Sequence, residues 1–460
     1  MPRLSNQLIR SACRISPLVA LLLRSCRDIP SAKNELRWIS EHVSKTTTNS
    51  SSSRLQPIIS QSKLFKLCKA RSRGVPLQYI LGTQPFGELE VKCRPGVLIP
   101  RSETEAYTLE VGRILLDEIR HGTRLRTKSQ RGQQPLTEPE MKILDICSGT
   151  GCISLSLYAQ LRHACPNLQV VGLDISPKAI NLARENIVYN NLLPRQNQSI
   201  SFHKGDILSP SKNIDELIMG MGSPSLSSPI SPQQEEPSNL KDKEEPARAD
   251  PENRISRNKW DLIISNPPYI SSTSFSRDTT RSVRNFEPKL ALVPPPQVAA
   301  GATDNDSTIS LTSIYCRPED IFYARILDLS RRTLKPRRIL FEVADLRQAR
   351  RVVELALVSA TVSGKETKGE EEDHGHLDGR TSLSDMFKVI EVWRDDPSCC
   401  SPLHSNNTEA QDNTVESTSE EDEKENSTEN LLRTVTVNGQ EIPIRGSGNV
   451  RSVYLFTGQH

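Results

Sequence analysis

The tetrapeptide Asn266-Pro267-Pro268-Tyr269 contains residue types that can hold a planar amino group. It follows the apolar run WDLII, which the pattern predicts to be a buried strand. Proline has no N–H and a fixed φ, so the strand ends here and the carbonyl of Pro267 is left free of the sheet ladder. Together with the side-chain carbonyl of Asn266, it offers two acceptors for the N–H groups of an –NH₂, on which Tyr269 can stack. We predict that this corner positions a nitrogen nucleophile.

Amide and aromatic amine nitrogens are poor nucleophiles because their lone pair is delocalised. Catalysis at such a corner must therefore come mostly from positioning, which contributes up to about 7–11 kcal/mol in well-oriented systems. The ten cysteines include no CxxC pair and no His/Cys cluster with zinc spacing. We therefore expect a transfer reaction that uses no metal.

A glycine turn precedes the corner in the chain. The segment DICSGTGC places Asp145, Gly149 and Gly151 at the end of an apolar strand, where glycines let the backbone turn tightly and approach a ligand closely. Ser154 occupies the position of the third glycine in the dinucleotide-binding fingerprint. The turn favours a ligand pocket, and taken alone it is equally compatible with an ordinary turn of an α/β fold.

Two further aspartates end the next two predicted strands. Asp174 can accept two hydrogen bonds from a ribose diol. Asp206 can accept one from the exocyclic amine of adenine, with Ile207 beside the ring. Acidic strand ends with a two-glycine turn indicate an adenosine ligand without a pyrophosphate, and S-adenosylmethionine fits them better than a nicotinamide cofactor does. Methyl transfer from its sulfonium needs neither a metal nor a covalent enzyme intermediate.

The order of the predicted elements explains how these residues can meet. From Met141 onward, short apolar runs alternate with segments of helical spacing, which predicts βαβ units and a mainly parallel sheet covered on both faces. Such sheets bind ligands beyond the carboxyl ends of their strands. Residues 16–80 lack this alternation, and we predict that they form a small helical domain.

The composition indicates that parts of the chain do not join a core. The apolar share of 35% and the aromatic share of 4% are low for 460 residues that pack throughout. Polar, acidic and proline-rich stretches account for this, and we predict disordered insertions at 209–256, 363–382 and 397–444. A formal net charge of +3 is too small to indicate a nucleic-acid partner by itself. No apolar run approaches the roughly 20 residues that span a bilayer, so we expect no membrane partner.

The first 27 residues contain five arginines and no acidic residue. This composition is typical of a mitochondrial presequence, and an ordinary basic first helix shares it. We predict a mitochondrial targeting segment within residues 1–15 and a location in the matrix, with the cytoplasm as the alternative.

Taken together, these segments resemble the S-adenosylmethionine-dependent methyltransferases of the HemK/PrmC type. PLQYILG and IPRSETE carry most of the specificity, DICSGTGCISLSL is similar to the family's cofactor loop, and SNPPYI is similar to its active-site strand end. The resemblance implies an α/β fold with a Rossmann-like seven-stranded S-adenosylmethionine-dependent methyltransferase domain (106–460). A small helical domain that docks a release factor and a hairpin with an access loop (81–105) precede it.

The resemblance also implies an activity and a set of site residues. The activity is N5-methylation of the glutamine side-chain amide in the Gly-Gly-Gln motif of a peptide-chain release factor, a step of translation termination, in mitochondria if the targeting prediction holds. The implied catalytic residues, which hold the glutamine amide, are 266–269. The implied cofactor-binding residues are Asp145, Cys147, Ser148, Gly149, Thr150, Gly151, Asp174, Asp206, Ile207 and Asn266.

The chain departs from the family pattern at two positions. Ser102 stands where the family usually has proline, so we expect a less rigid access loop. Glu342, in FEVADLRQA, ends another predicted strand without a glycine after it, and we predict a structural role for it.

Adenine-N6 methyltransferases share the NPPY motif, so an enzyme of that kind acting on nucleic acid is the alternative. A scaffold without activity is disfavoured by the intact Asn266 and Asp174.

Overall fold

The computed structural model describes residues 3–47, 56–129, 140–209, 214, 216–218, 220, 259–296, 316–365, 386–398 and 432–458. These residues form an N-terminal helical domain, a β-hairpin, and an α/β domain with one large sheet. In this part of the chain, no helix has the length and apolar character needed to cross a membrane.

Five helices form the N-terminal domain: α1 Asn6–Ile15, α2 Pro17–Cys26, α3 Ile29–Thr47, α4 Gln56–Ser72 and α5 Leu77–Leu81. Serines begin the first two helices, since Ser5 Oγ accepts from the N–H of Leu8 and Ser16 Oγ from the N–H of Leu18, both at 3.2 Å. The buried residues that form the core of this domain are Ala12, Val19, Leu22, Leu23, Ala32, Ile39, Cys68, Leu77 and Ile80.

The helical domain begins before the predicted boundary at residue 16. Ala12 of α1 is fully buried in the same core as Leu22 and Ile39, so residues 6–15 are part of the domain. Helix α1 has few apolar residues on its buried face, so its arginines are the more visible signal in the sequence. A targeting role for residues 1–15 stays a prediction, and a cleavage within them would remove a helix from this core.

The hairpin predicted within residues 81–105 is present. Strands β1 (Thr83–Phe86) and β2 (Leu89–Lys92) pair antiparallel. The access loop, residues 93–101, leads to helix α6 (Ser102–Ser129). Asn186 joins the hairpin to the α/β domain, because its Oδ1 accepts from the N–H of Lys92 at 2.8 Å and its Nδ2 donates to the carbonyl of Thr150 at 3.1 Å.

The α/β domain is built on a sheet with the strand order β5-β4-β3-β6-β7-β11-β8-β10-β9. Strands β3 to β7 pair parallel, and β11 is antiparallel to both of its neighbours. The strands are β3 Glu140–Ile146, β4 Asn167–Asp174, β5 Ser199–Lys204, β6 Leu262–Ser265, β7 Arg338–Glu342, β8 Val389–Asp396, β9 Thr434–Val437, β10 Gln440–Arg445 and β11 Ser447–Phe456.

Helices cover both faces of this sheet. The further α-helices are α7 Cys152–Leu161, α8 Pro177–Tyr189, α9 Ser272–Arg277, α10 Arg281–Phe286, α11 Ile321–Leu329 and α12 Leu346–Lys365. Alternate residues of β3 serve the two cores: Leu144 and Ile146 belong to the core that contains α11 and α12, whereas Ile143 belongs to the core that contains α6 and α7. This alternation is the period of two expected for a covered sheet.

The seven strands from β5 to β8 in the sheet order confirm the predicted methyltransferase sheet, and the β9–β10 hairpin extends it. This hairpin corrects the prediction of disorder over 397–444. Val435, Val437 and Ile442 are buried in the main core. Their alternation with exposed residues is a strand signal that the acidic composition of the preceding segment obscured.

Two other predicted insertions begin later than expected. Residues 214, 216–218 and 220 are helical, inside the predicted insertion 209–256. Ile214 and Ile218 are buried in the main core, because their spacing of four places both on one helix face. Helix α12 continues to Lys365, past the predicted start of the insertion 363–382. The remaining parts of the three predicted insertions lie outside the described residues.

Candidate active site

A cavity of about 280 Å³ lies beyond the carboxyl ends of β3, β4, β5 and β6, the edge at which such sheets bind ligands. The predicted site residues that line it are Cys147, Ser148, Gly149, Thr150, Asp174, Asp206, Ile207, Asn266 and Pro268. Four predicted residues are not part of the lining: Asp145, Gly151, Pro267 and Tyr269. The structure therefore brings together residues from four separate strand ends.

The glycine turn follows β3 and is fastened to the end of β4. The N–H groups of Cys147 and Ser148 both donate to the carbonyl of Leu173, at 2.8 and 3.1 Å. Cys147 and Gly149 have φ angles of 65° and 55°, in the left-handed region that glycine adopts without steric cost. Apart from its two chain neighbours, no described residue has a heavy atom within 4 Å of a Cβ placed on Gly149, so the turn leaves open space beside its backbone.

Asp174 lies at the end of β4, between the glycine turn and helix α8. Its Oδ2 accepts from the N–H of Gly149 and its Oδ1 from the N–H of Ser176, both at 2.8 Å. Burial raises the pKa of Asp174, and the backbone donors oppose that rise. Each carboxylate oxygen has two lone pairs. Asp174 can therefore accept further hydrogen bonds from a ligand while it keeps its contacts with the backbone.

Asp145, predicted to bind the cofactor, lies outside the cavity lining. It is fully buried, and its Oδ2 accepts from the N–H of Ser154 at 3.2 Å and from Ser154 Oγ at 2.6 Å. Burial raises the pKa of Asp145 to about 7, because desolvation outweighs these two donors. Its Oδ1 has no hydrogen-bond partner among the described residues. The structure thus connects Asp145 to the first turn of α7, and its cofactor role stays a prediction.

Gly151 precedes α7 and serves packing. Its φ is 79°, and a Cβ at this position would lie 2.7 Å from Phe202 Cζ and 3.0 Å from the Cβ of Ala183. Only glycine lets the turn come this close to β5 and α8. Gly151 does not line the cavity, so its predicted contact with a cofactor stays a prediction.

Asp206 and Ile207 follow β5, and both line the cavity. Asp206 is exposed, and its Oδ1 accepts from the N–H of Leu208 at 2.9 Å. Ile207 is buried. A carboxylate thus lies next to an apolar wall, which is the combination predicted for an adenine site.

The Asn266 corner forms another side of the cavity. Asn266 and Pro268 line it, and Asn266 Nδ2 donates to Thr104 Oγ1 at 3.1 Å. The hydroxyl of Tyr269 donates to Glu342 Oε1 at 3.0 Å. Burial and this carboxylate raise the pKa of Tyr269 well above its usual range. Because Pro267 and Tyr269 do not line the cavity, their predicted contacts with a substrate stay predictions.

The access loop and the segment after the corner form the outer wall of the cavity, and Glu287 joins them. This carboxylate is almost completely buried; it accepts from Arg101 Nη2 at 2.8 Å and from the N–H of Ile99 at 3.2 Å. From the helical domain, the hydroxyl of Tyr79 donates to the carbonyl of Val97 at 2.7 Å. The wall is therefore held by a partly buried ion pair and connected to the helical domain.

The residues of the cavity fit S-adenosylmethionine. Ser148 lines the cavity and is 4% exposed, yet its Oγ has no hydrogen-bond partner among the described residues. Buried hydroxyls nearly always have a partner, so a bound ligand is the expected one. The acceptors Asp174 and Asp206 suit a ribose and an adenine amine. Where the structure describes the chain, no group of three or more His, Cys, Asp or Glu could hold a metal ion.

The lining also contains residues that were not predicted to belong to the site, among them Thr104, Ile175, Ala179 and Phe322. Thr104 lies in IPRSETE, and its position next to the access loop was a usable signal. Ile175 is an apolar residue directly after Asp174, and at 42% exposure it is unusually open for an isoleucine, so it too could have been found. Ala179 and Phe322 lie on helices, and only the packing of those helices brings them to the cavity.

Comparison with known proteins finds relatives that cover both domains. Residues 20–82 match the family described as PrmC N-terminal domain, and residues 137–218 match the family described as Methyltransferase domain. The chain is 32% identical over 339 residues to the "Mitochondrial MRF1 N(5)-glutamine methyltransferase MTQ1" of Saccharomyces cerevisiae. The aligned region covers 74% of this chain and 80% of the yeast protein.

Two other relatives extend this similarity. The "Probable MRF1 mitochondrial N(5)-glutamine methyltransferase mtq1" of Schizosaccharomyces pombe is 30% identical over 288 residues, covering 61% of this chain and 70% of that protein. A bacterial protein named "Release factor glutamine methyltransferase", from Thermodesulfovibrio yellowstonii, is 33% identical over 146 residues, covering 32% of this chain and 43% of that protein.

Proposed function

Because the chain belongs to the family of N(5)-glutamine methyltransferases, we propose that it methylates the glutamine side-chain amide in the Gly-Gly-Gln motif of a peptide-chain release factor. One observation carries this proposal: Asn266 lines the cavity with its Nδ2 already bonded to Thr104. Its Oδ1 is the atom left to accept an N–H from a planar amide. The relatives give no support to the alternative of adenine-N6 methylation of nucleic acid.

S-adenosylmethionine supplies a methyl group on a positively charged sulfur. The backbone of residues 147–151 and the hydroxyl of Ser148 would hold its methionine part, and Asp174 would accept from the ribose. Asp206 would accept from the adenine amine, with Ile207 against the ring. All of these residues except Gly151 line the cavity, which supports this assignment.

The contribution of the protein to the reaction is mainly orientation. Asn266 Oδ1 accepts one N–H of the substrate amide, and the carbonyl of Pro267 would accept the other, so that the nitrogen lone pair turns toward the methyl carbon. Bound S-adenosylmethionine would supply the methyl group and its sulfur would leave as a neutral thioether, while the amide nitrogen would lose one proton to water. The two prolines limit backbone motion, so little entropy is lost when the amide binds.

The mitochondrial matrix is the proposed location, with a mitochondrial release factor as the substrate. Two relatives are named as mitochondrial enzymes, and the arginine-rich N-terminus agrees with import. Residues 1–45 fused to a reporter test this proposal in an import assay. Reporter that stays outside mitochondria would exclude targeting by this segment.

The activity is tested by incubating the full chain with radiolabelled methyl donor and a release factor. Label is expected on the glutamine of Gly-Gly-Gln, and none on a release factor in which that glutamine is replaced by alanine. A parallel reaction contains an oligonucleotide in place of the release factor. Label in the oligonucleotide, or on another residue of the release factor, would refute the proposal.

The role of Asn266 is tested with Asn266→Ala. We expect turnover to be abolished while the Kd for S-adenosylmethionine changes by no more than a few-fold, because the variant loses a substrate contact. Asn167→Ala is the matched control, since Asn167 begins β4 at the opposite end of the strands, and it should leave turnover unchanged. Loss of cofactor binding in Asn266→Ala would show that Asn266 serves the cofactor instead.

A further inference from the structure

Glu342 is a buried carboxylate next to the Asn266 corner. It is the last residue of β7 and is 2% exposed. Strands β6 and β7 pair in parallel with Ser265 opposite Phe341, so Asn266, which directly follows β6, and Glu342, which ends β7, each come one residue after this pair. Glu342 does not line the cavity and therefore has no route to a bound ligand except through other side chains.

Three hydroxyl groups donate to the carboxylate of Glu342. Thr104 Oγ1 and the hydroxyl of Tyr107 donate to Oε2 at 2.6 and 2.9 Å, and the hydroxyl of Tyr269 donates to Oε1 at 3.0 Å. Two of the donors come from α6 and one from the corner itself. Burial raises the pKa of Glu342, and these three donors oppose that rise, as hydrogen bonds to a carboxylate do.

This arrangement determines which way the amide of Asn266 faces. A hydroxyl has one proton, and that of Thr104 is donated to Glu342. Thr104 Oγ1 can then only accept, so the Asn266 atom 3.1 Å away must be the NH₂ nitrogen. A flipped amide would place Oδ1 against an oxygen that has no proton to offer. The orientation follows from the hydrogen-bond network and does not depend on distinguishing N from O in the side chain.

We propose that Glu342 is a positioning residue that fixes the Asn266 amide through Thr104, so that Asn266 Oδ1 faces the amide nitrogen of the substrate. The inference rests on the proposed function for its catalytic meaning, whereas the orientation itself can be observed without turnover. Through Tyr269, the same carboxylate also holds the end of the corner. Glu342 was predicted to be structural, and the structure adds this specific task.

The test compares two replacements of Thr104. Thr104→Val removes the acceptor for Asn266 Nδ2 and is expected to lower kcat about 10–100-fold, the loss typical of a misplaced reacting group. Thr104→Ser keeps the hydroxyl and is expected to retain most of the wild-type kcat. In both variants the Kd for S-adenosylmethionine should stay within about 2-fold of the wild-type value, because the affected contact is with the substrate. Equal kcat values for the two variants would overturn the proposal.

Glu342→Gln tests the carboxylate itself. An amide in this place can donate to Thr104, which frees the threonine proton and permits the flipped Asn266 amide, so kcat should fall as in Thr104→Val. The double variant with Thr104→Val and Glu342→Gln should have a kcat no lower than that of either single variant, because the two residues act as one unit. Tyr323→Phe is the matched control: it removes a buried hydroxyl bond of 2.7 Å to the backbone carbonyl of Glu342, and it should leave kcat unchanged. Additive losses, or an equal loss in the control, would indicate a purely structural role and refute the proposal.

A readout without turnover separates this inference from the proposed function. In NMR spectra, the side-chain NH₂ signals of Asn266 are identified by their loss in Asn266→Ala. They should be protected from hydrogen exchange in the wild type and unprotected in Thr104→Val, whatever the substrate proves to be. Protection in a protein that methylates no release factor would refute the proposed function alone. Absence of protection in the wild type would refute the positioning role of Glu342, and this measurement remains decisive if Glu342→Gln does not fold.

Discussion

Replacing Asp145 with asparagine should change how the stability of the methyltransferase domain depends on pH. The pKa of Asp145 is raised from 3.8 to about 7 by burial. A difference of roughly 3 units corresponds to about 4 kcal/mol between the two protonation states. The folded state keeps a proton on Asp145 at pH values where the unfolded state has lost it. The stability contributed by this proton is complete below pH 3.8 and is lost as the pH rises through about 7.

Asparagine does not titrate, so the stability of Asp145→Asn does not fall with pH through this residue. The free energy of unfolding of the wild type, minus that of the variant, should fall by roughly 2–3 kcal/mol between about pH 5 and pH 8. Guanidinium unfolding of both proteins at four pH values measures this difference in unfolding free energy. Tryptophan fluorescence reports on the right domain, because Trp260 and Trp393 are buried in it whereas Trp38 of the helical domain is 42% exposed.

A difference that does not vary with pH would refute this reasoning, since it would mean that folding leaves the ionisation of Asp145 unchanged. A second variant tests the cause. Ser154→Ala removes the Oγ donor at 2.6 Å, so it should raise the pKa of Asp145 further and shift the pH-dependent loss of stability to higher pH. The Kd of Asp145→Asn for S-adenosylmethionine tests the predicted cofactor role, which the position of Asp145 outside the cavity lining does not support.

Two further predictions concern the turn and the outer wall. Gly151→Ala places a Cβ 2.7 Å from Phe202 Cζ at a φ of 79°, so it should cost about 1–3 kcal/mol of unfolding free energy, measured by guanidinium denaturation; unchanged stability would show that the turn shifts freely. Arg101→Ala leaves the buried Glu287 without its cation, whereas Glu287→Ala leaves an arginine that is 31% exposed and can turn to water. Arg101→Ala should therefore weaken S-adenosylmethionine binding more than Glu287→Ala does. Calorimetry measures both Kd values, and a larger loss in Glu287→Ala would contradict this account of the outer wall.

The elements with strong periodicity were predictable from the sequence. Helix α7 (Cys152–Leu161) directly follows the glycine turn, and a Ser-Pro pair begins α8, with Ser176 Oγ accepting from the N–H of Ala179 at 3.4 Å. The four strand ends of the site were also found, because acidic or proline-containing residues directly follow apolar runs. Composition was less informative: a run of polar residues hid β9 and β10, whose buried valines and isoleucine come after it.

The hydrogen-bond network behind the site could not be predicted. Thr104 and Glu342 are 238 positions apart in the sequence, and only the packing of α6 on the sheet brings them together. A carboxylate at a strand end suggests a ligand contact as readily as a structural one. What decides between them is burial, and burial depends on the neighbouring helix, which no local pattern describes.

Asn266 directly follows β6 and Glu342 ends the paired strand β7, which makes the reaction centre insensitive to the length of the connections around it. Backbone pairing between β6 and β7 sets the gap between the two side chains, and that pairing is the same whether the intervening chain is short or long. Closing a longer loop costs little extra free energy. The chain can therefore carry long polar segments between its strands while the spacing on which methyl transfer depends stays constant.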